Sequence, residues 1–199
     1  AILIPARYGS TRLPGKMLAD VLGVPLIVRT LEQVKKAQKV DRVIVATDDE
    51  RIMDAVTASG GEAVMTSPDP LSGSDRLAEV ALGLPENSII VNVQGDEPLI
   101  SPETIDRAIE ALRSDETAQM STTCEPITWK NNKLLNGNVV KVVISDAGNA
   151  VFFSRSPMPF PREASLRHGG DPGSIRAFTP IAANTCSNSQ TCHHHGSNR

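Results

Sequence analysis

The chain has 199 residues, of which 20 are Lys or Arg and 23 are Asp or Glu, so its formal net charge is −3. This balance argues against a broad basic surface for nucleic acid and against a polybasic membrane anchor. No apolar run approaches the roughly 18 residues of a membrane helix, and the three Cys without a CxxC pair indicate neither a disulfide framework nor a zinc site. We therefore expect a cytoplasmic protein with no nucleic-acid or membrane partner.

Short β-branched runs alternate with longer helical patterns up to about residue 124. The runs are apolar throughout, as in strands that are covered on both faces. Because strand and helix alternate, the sheet is expected to be mostly parallel with right-handed crossovers. The predicted fold class is α/β, a three-layer sandwich. The predicted strands are 1–4, 42–46, 63–65 and 89–93, and the predicted helices are 25–37, 49–58, 74–82 and 102–113.

The pattern changes in the last part of the chain. Segments 139–144 and 151–153 flank turn residues and predict a β-hairpin inserted into the α/β domain. A Pro-rich segment follows, and it predicts extended backbone. Large apolar residues then become sparse, so 163–199 is expected to be a disordered, atypical tail. We accordingly predict one C-terminally incomplete domain over 1–162.

A loop rich in glycine and cations follows the first predicted strand. Its sequence, PARYGSTRLPGK, occupies residues 5–16 and contains Arg7, Arg12 and Lys16. Backbone amides of such a loop can surround phosphate oxygens while Arg and Lys neutralise their charge. The spacing matches neither a P-loop nor the GxGxxG dinucleotide motif. The loop predicts a phosphate site, with an ordinary solvated basic loop as the alternative.

An acidic turn, QGDEP at residues 94–98, follows the fourth predicted strand. Mg²⁺ is typically held by one or two carboxylates together with substrate phosphates. Ligands of open α/β sheets bind at the carboxyl ends of the strands, where the basic loop also lies. The turn therefore predicts a metal–nucleotide site, and the alternative is a capped turn before the next helix.

A third loop, LSGSDR at residues 71–76, opens the third predicted helix. Free backbone amides at a helix N-terminus favour an anion or the edge of a base. The alternative is simple capping, which we assign to Ser74.

The six segments IPARYGSTRLPGKML, ATDDERI, SGSDRLAEV, VNVQGDEPLI, NGNVVKVV and VFFSRSPMPFPRE occur in this order between Ala1 and about Arg162. They closely resemble the 3-deoxy-manno-octulosonate cytidylyltransferase family. The basic loop and QGDEP are shared with sialic-acid relatives, whereas the SRSPMPFPR segment favours the octulosonate family.

The resemblance implies a Rossmann-like nucleotidyltransferase fold and a reaction for lipopolysaccharide biosynthesis. In this reaction CTP and 3-deoxy-manno-octulosonate (Kdo) give CMP-Kdo and pyrophosphate. Mg²⁺ is the implied cofactor, Asp96 its ligand, and a homodimer the implied assembly. The implied CTP-binding residues are Ala6, Arg7, Arg12, Lys16, Ser72, Gly73 and Arg76, the sugar-binding residues are Gln94, Arg155 and Arg162, and the catalytic residues are Arg12, Lys16 and Asp96.

The chain departs from the family pattern after His168. Family members continue with a His-aliphatic-Gly-Ile stretch, a Glu-Gln pair for the sugar and a later Asp as a second metal ligand. A one-base frameshift just after His168 is our hypothesis for this difference, and resequencing the gene tests it. Two alternative functions stay open: an inactive nucleotide-binding remnant, and a cytidylyltransferase for another 2-keto sugar acid such as sialic acid.

Overall fold

The computed structural model describes residues 1–9, 13–68, 72–127, 133–157 and 175–185, the last range by its backbone alone. The chain divides into two compact units after residue 121, with 181–185 belonging to the first unit and Thr122–Pro180 forming the second. This division differs from the single domain that we predicted for 1–162. No helix in these ranges is long and apolar enough to cross a membrane.

Strands and helices alternate along the first unit, as the sequence pattern predicts. In chain order the elements are β1 (Ile2–Ala6), a 3₁₀ turn (Lys16–Leu18), β2 (Asp20–Val21), β3 (Val24–Pro25), α1 (Leu26–Val34), β4 (Val43–Thr47), α2 (Glu50–Ala58), β5 (Glu62–Met65), α3 (Gly73–Ala81), β6 (Ile89–Asn92) and α4 (Pro102–Ser114). They are followed by β7 (Met120–Pro126), β8 (Lys141–Ile144), β9 (Ala150–Ser154) and β10 (Ile175–Thr185).

Four parallel strands form the centre of the first unit, in the order β5–β4–β1–β6. The chain passes from β1 to β4 and β5 on one side and then returns to β6 on the other. A topological switch point therefore lies between β1 and β6, which is where open α/β sheets bind their ligands. Pairing of β1 with β6 ends at Leu3–Asn92, whereas pairing with β4 continues to Ala6–Thr47. The two strands separate beyond that pair and leave room for a site.

Helices cover both faces of this sheet. Ile2, Ile4 and Ala6 of β1 pack into a cluster with α1, α2 and α4, whereas Leu3 packs with α3 on the opposite face. This alternation follows from the two-residue period of a strand. Each fully buried aliphatic side chain contributes about 1.5–3 kcal/mol. The three-layer α/β class with a parallel central sheet is confirmed, and β10 pairs beside β6 in antiparallel fashion.

All four predicted helices are present, but their ends differ from the prediction. Helix α1 begins after Pro25 and ends at Val34, three residues before the predicted end at Ala37. Helix α3 begins at Gly73, and its N-cap is Ser72, whose hydroxyl accepts a hydrogen bond from the Asp75 amide at 3.2 Å. The assignment of this cap to Ser74 is wrong. The S-x-x-D pattern that starts at Ser72 is a recognised capping signal.

The second unit contains the predicted hairpin, in which β8 and β9 pair in antiparallel fashion. Residues 175–177 of β10 pair with β8, and residues 182–185 pair with β6 in the first unit. The expectation of a disordered tail is therefore wrong for 175–185. Backbone hydrogen bonds to existing strands order this segment although its composition provides few core side chains. The remainder of 163–199 lies outside the described residues.

Candidate active site

A cavity of about 600 Å³ opens at the carboxyl ends of β1 and β6, inside the first unit. Three loops meet there: the basic loop after β1, the acidic turn after β6 and the start of α3. The lining includes eight residues that the sequence analysis implicated, namely Ala6, Arg7, Lys16, Ser72, Gly73, Arg76, Gln94 and Asp96. Pro5, Leu13, Met17 and Gly95 complete it. The cavity is polar, with cations and a carboxylate on its walls.

The basic loop is closed at its base by Tyr8 and Gly15. The Gly15 amide donates to the Tyr8 carbonyl at 3.0 Å. Gly15 has φ of 69°, and a Cβ there would lie 3.1 Å from the Tyr8 ring. The guanidinium of Arg51 lies over the Tyr8 ring, with Cζ 3.5 Å from the ring centre. This packing presents Arg7 and Lys16 to the cavity, whereas Arg12 lies outside the described residues.

Lys16 and Asp96 form an ion pair in the wall of the cavity. The Lys16 Nζ donates to Asp96 Oδ2 at 2.5 Å, and both side chains are more than one third exposed. An exposed ion pair of this kind contributes little to folding stability. The pair keeps a cation and a carboxylate side by side, which suits a ligand that carries both phosphate and metal.

The acidic turn is held close to β1 by Gly95. A Cβ at Gly95 would lie 3.0 Å from Met17 Sδ and 3.2 Å from the Pro5 carbonyl oxygen. Glycine therefore lets the turn approach the first strand closely. Burial, together with the neighbouring Asp96 carboxylate, raises the pKa of Glu97 above its ordinary value.

The side chains of the cavity can be compared with the ligands that Mg²⁺, the implied cofactor, prefers. Within the described parts of the chain, no group of three or more His, Cys, Asp or Glu could hold a metal ion by itself. Asp96 provides one exposed carboxylate beside a cavity large enough for a nucleotide. One protein carboxylate with phosphate oxygens is an arrangement that Mg²⁺ accepts. The residues thus fit an ion that arrives with its phosphate ligands.

Arg76 lies in the cavity wall, but its guanidinium is engaged with the protein. Nη2 donates to Asp48 Oδ2 at 2.6 Å, and Nη1 donates to the Thr66 hydroxyl and, at 3.4 Å, to the Ser67 carbonyl. The side chain is only 5% exposed. A contact with cytidine, which the resemblance implies, would use what remains of the guanidinium edge. Asp48, the partner of Arg76, was not among the residues predicted from the sequence, although it belongs to the ATDDERI segment.

The three predicted sugar-binding residues do not all line this cavity in the part of the chain that the structure describes. Gln94 lines the cavity, and its Nε2 donates to Asn92 Oδ1 at 3.2 Å. Arg155 lies in the second unit, where its Nη1 donates to the carbonyls of Gly137 at 3.1 Å and Asn138 at 3.4 Å. Arg162 lies outside the described residues. Sugar binding by these three residues stays a prediction.

The chain is similar to known cytidylyltransferases over most of its length. A family model described as cytidylyltransferase matches residues 1–177. The 3-deoxy-manno-octulosonate cytidylyltransferase of Trichlorobacter lovleyi is 53% identical over 161 residues, which are 81% of this chain and 63% of that relative. The protein of the same name from Anaeromyxobacter dehalogenans is 47% identical over 186 residues, 93% of this chain and 73% of the relative.

A solved structure of CMP:2-keto-3-deoxy-manno-octonic acid synthetase complexed with CTP has a similar fold. It gives a TM-score of 0.83 at 40% identity and covers 92% of this chain and 73% of the solved one. The chain thus matches less than two thirds of the Trichlorobacter relative and about three quarters of the solved structure. The family match extends past residue 162, where we expected the resemblance to end.

Proposed function

We propose that this chain, which belongs to the cytidylyltransferase family and within it to the 3-deoxy-manno-octulosonate cytidylyltransferases, transfers the cytidylyl group of CTP to Kdo. Pyrophosphate is the second product. The observation that carries the proposal is the cavity at the switch point of the sheet, which brings Arg7, Lys16 and Asp96 together. Cations beside one exposed carboxylate suit a triphosphate that binds with a metal ion.

The proposed reaction is an in-line displacement at the α-phosphorus of CTP. The anomeric oxygen of Kdo forms the new bond to phosphorus, its proton is released, and the bond to the β-phosphate oxygen breaks. Negative charge develops on the leaving pyrophosphate. Arg7 and Lys16 stabilise this charge from the cavity wall, which is the main contribution that a protein makes to such a transfer.

Mg²⁺ is part of the proposal, with Asp96 as the residue that would hold it. When bound, the ion would neutralise phosphate charge and favour ionisation of the attacking hydroxyl. The chain's own residues orient the substrates. Ser72, Gly73, Arg76 and Gln94 all line the cavity, and the family resemblance assigns the first three to cytidine and Gln94 to the sugar acid. Arg12, Arg155 and Arg162 are assigned to phosphate and sugar by the family resemblance.

The resemblance also supports a role in lipopolysaccharide biosynthesis, a cytoplasmic location and a homodimer. The dimer has a structural argument as well. Strand β9 carries three exposed apolar side chains in succession, with Val151 at 64%, Phe152 at 57% and Phe153 at 40% exposure. Val151 and Phe153 share one face of the strand, because side chains alternate along it. Exposed apolar side chains that share a face are typical of an interface.

Pyrophosphate release by the full chain with CTP, Mg²⁺ and Kdo tests the proposed function. Release that depends on Kdo is expected, with the rate lowered about 100-fold or more in Asp96→Asn. The control is Asp54→Asn, which makes the same change on the exposed face of α2 and leaves the rate unaltered. Reaction with sialic acid instead of Kdo would assign another acceptor. No release, with CTP still raising the melting temperature, would identify an inactive nucleotide-binding chain.

A further inference from the structure

Thr30 is a polar residue on the buried face of α1. Its residue exposure is 0%, and its neighbours on that face include Ile27, Leu31 and Val34. A hydroxyl in such surroundings needs a hydrogen-bond partner, because an unsatisfied buried donor is costly. Thr30 Oγ1 lies 2.9 Å from the Gly95 carbonyl oxygen and 3.3 Å from the Leu26 carbonyl oxygen. The shorter contact joins α1 to the acidic turn, 65 residues away in sequence.

The carbonyl that Thr30 contacts belongs to the peptide bond between Gly95 and Asp96. Gly95 is buried, whereas Asp96 is exposed in the cavity. The direction of the Asp96 side chain therefore depends on the orientation of this peptide. Gln33, nearly one helical turn after Thr30, donates from Nε2 to the Ile100 carbonyl at 2.8 Å. Helix α1 thus contacts the acidic turn at Gly95 and the segment that follows it at Ile100.

We propose that Thr30 is a positioning residue for Asp96: its hydroxyl fixes the Gly95–Asp96 peptide so that the carboxylate can accept a divalent cation with CTP. The inference rests on the proposed function and deepens it. Mg²⁺ demands near-ideal octahedral geometry, so a small rotation of this peptide weakens metal binding. Loss of such an outer partner typically lowers metal affinity or activity about 10- to 100-fold.

Two substitutions separate the hydroxyl of Thr30 from its methyl group. Thr30→Val keeps the shape of the side chain and removes the donor, whereas Thr30→Ser keeps the donor and removes the methyl. The matched control is Thr57→Val on α2, because the exposed Thr57 hydroxyl contacts only helix carbonyls, those of Met53 at 2.9 Å and Asp54 at 3.1 Å. Each variant is made in the full chain, and thermal denaturation checks that it folds.

The first measurement is Mn²⁺ binding in the presence of CTP, followed by electron paramagnetic resonance. Thr30→Val is expected to weaken Mn²⁺ binding about tenfold or more, while Thr30→Ser and Thr57→Val keep the affinity of the unmodified chain. The second is amide hydrogen exchange of residues 95–97, which should become faster in Thr30→Val alone. Equal affinity and exchange in Thr30→Val and the unmodified chain would overturn the proposal.

The exchange measurement keeps this proposal separate from the proposed function. If the unmodified chain neither binds Mn²⁺ with CTP nor releases pyrophosphate, the proposed function fails, and positioning is still decided by exchange at residues 95–97. If Thr30→Val does not fold, Thr30→Ser decides the question. Retained Mn²⁺ affinity in Thr30→Ser supports a role of the hydroxyl, and a loss equal to that expected for Thr30→Val contradicts it.

Discussion

Arg76 shows how a charged side chain can be buried and still line a cavity. Asp48 supplies the opposite charge, and the Thr66 hydroxyl accepts a further hydrogen bond, so the desolvated guanidinium is paired. Removing one partner of such a pair leaves the other charge buried and uncompensated, which is far more costly than losing an exposed pair. Asp48 therefore has a structural role and also limits how Arg76 can turn towards the cavity.

The substitution Asp48→Asn is expected to lower the free energy of unfolding by about 3 kcal/mol. Removing one partner of a buried pair typically costs about 3–5 kcal/mol. We expect the lower end of this range because the Asp48 side chain is 20% exposed. CTP affinity should fall as well, since Arg76 loses its fixed orientation. Urea denaturation measures the first effect, and calorimetric titration with CTP measures the second.

The neighbouring Asp49 provides the control for this prediction. It pairs with the exposed Arg51 at 2.7 Å and caps α2. Asn is as good an N-cap as Asp, so Asp49→Asn should change stability much less than Asp48→Asn. Equal losses in the two variants would show that burial of the Asp48–Arg76 pair is not the cause.

At the scale of elements, α3 combines a structural cap with one wall of the cavity. Ser72 accepts from the Asp75 amide and donates to Asp75 Oδ2 at 2.7 Å, so both groups of the cap are satisfied within the first turn. Ser72 and the following Gly73 also line the cavity. Weakening the cap should therefore affect both the stability of the helix and the position of its exposed amides.

Ser72→Ala is expected to lower the free energy of unfolding by about 1 kcal/mol, the usual effect of losing an N-cap. Ser74 lies two residues later, inside the helix. Ser74→Ala should change the free energy of unfolding by no more than about 0.5 kcal/mol, in either direction, because Ala is the better helix former. Urea denaturation of the two variants compares them directly. A larger loss in Ser74→Ala would contradict the assignment of the cap to Ser72.

Strand β1 shows why element ends are difficult to infer from composition. A proline at position 5 suggests that the strand stops at Ile4, because proline lacks the donor for a sheet hydrogen bond. The strand continues to Ala6 because β4 pairs along its whole length, whereas β6 has already separated after Leu3. The proline lies where β6 no longer pairs with β1, and it lines the cavity.

At the scale of the whole molecule, the exposed apolar side chains of β9 predict self-association. A homodimer of the 21.3 kDa chain is expected in sedimentation velocity. Val151→Glu should shift it towards the monomer by placing a charge on the face that Val151 shares with Phe153. Leu82→Glu is the control, because Leu82 is 78% exposed at the end of α3 and has no apolar strand around it. A monomeric unmodified chain would refute the dimer.

The sequence by itself determined the fold class and most of the cavity. Apolar β-branched runs predicted buried parallel strands, and the motifs that follow those runs necessarily meet at one edge of the sheet. Arg7, Lys16, Gln94 and Asp96 could be placed together on this ground, since the carboxyl ends of parallel strands lie side by side. Family resemblance added the reaction, which residue patterns cannot specify.

Only the tertiary structure decided which partner each polar group takes. Asp48 and Arg76 are separated by 28 residues, and Thr30 and Gly95 by 65, so no local pattern relates them. The strand at 175–185 likewise depends on long-range contacts, because it is ordered by pairing with β6 and β8, which precede it in the chain. Local composition determines what a segment can do, whereas long-range contacts determine which of those possibilities has the lowest free energy.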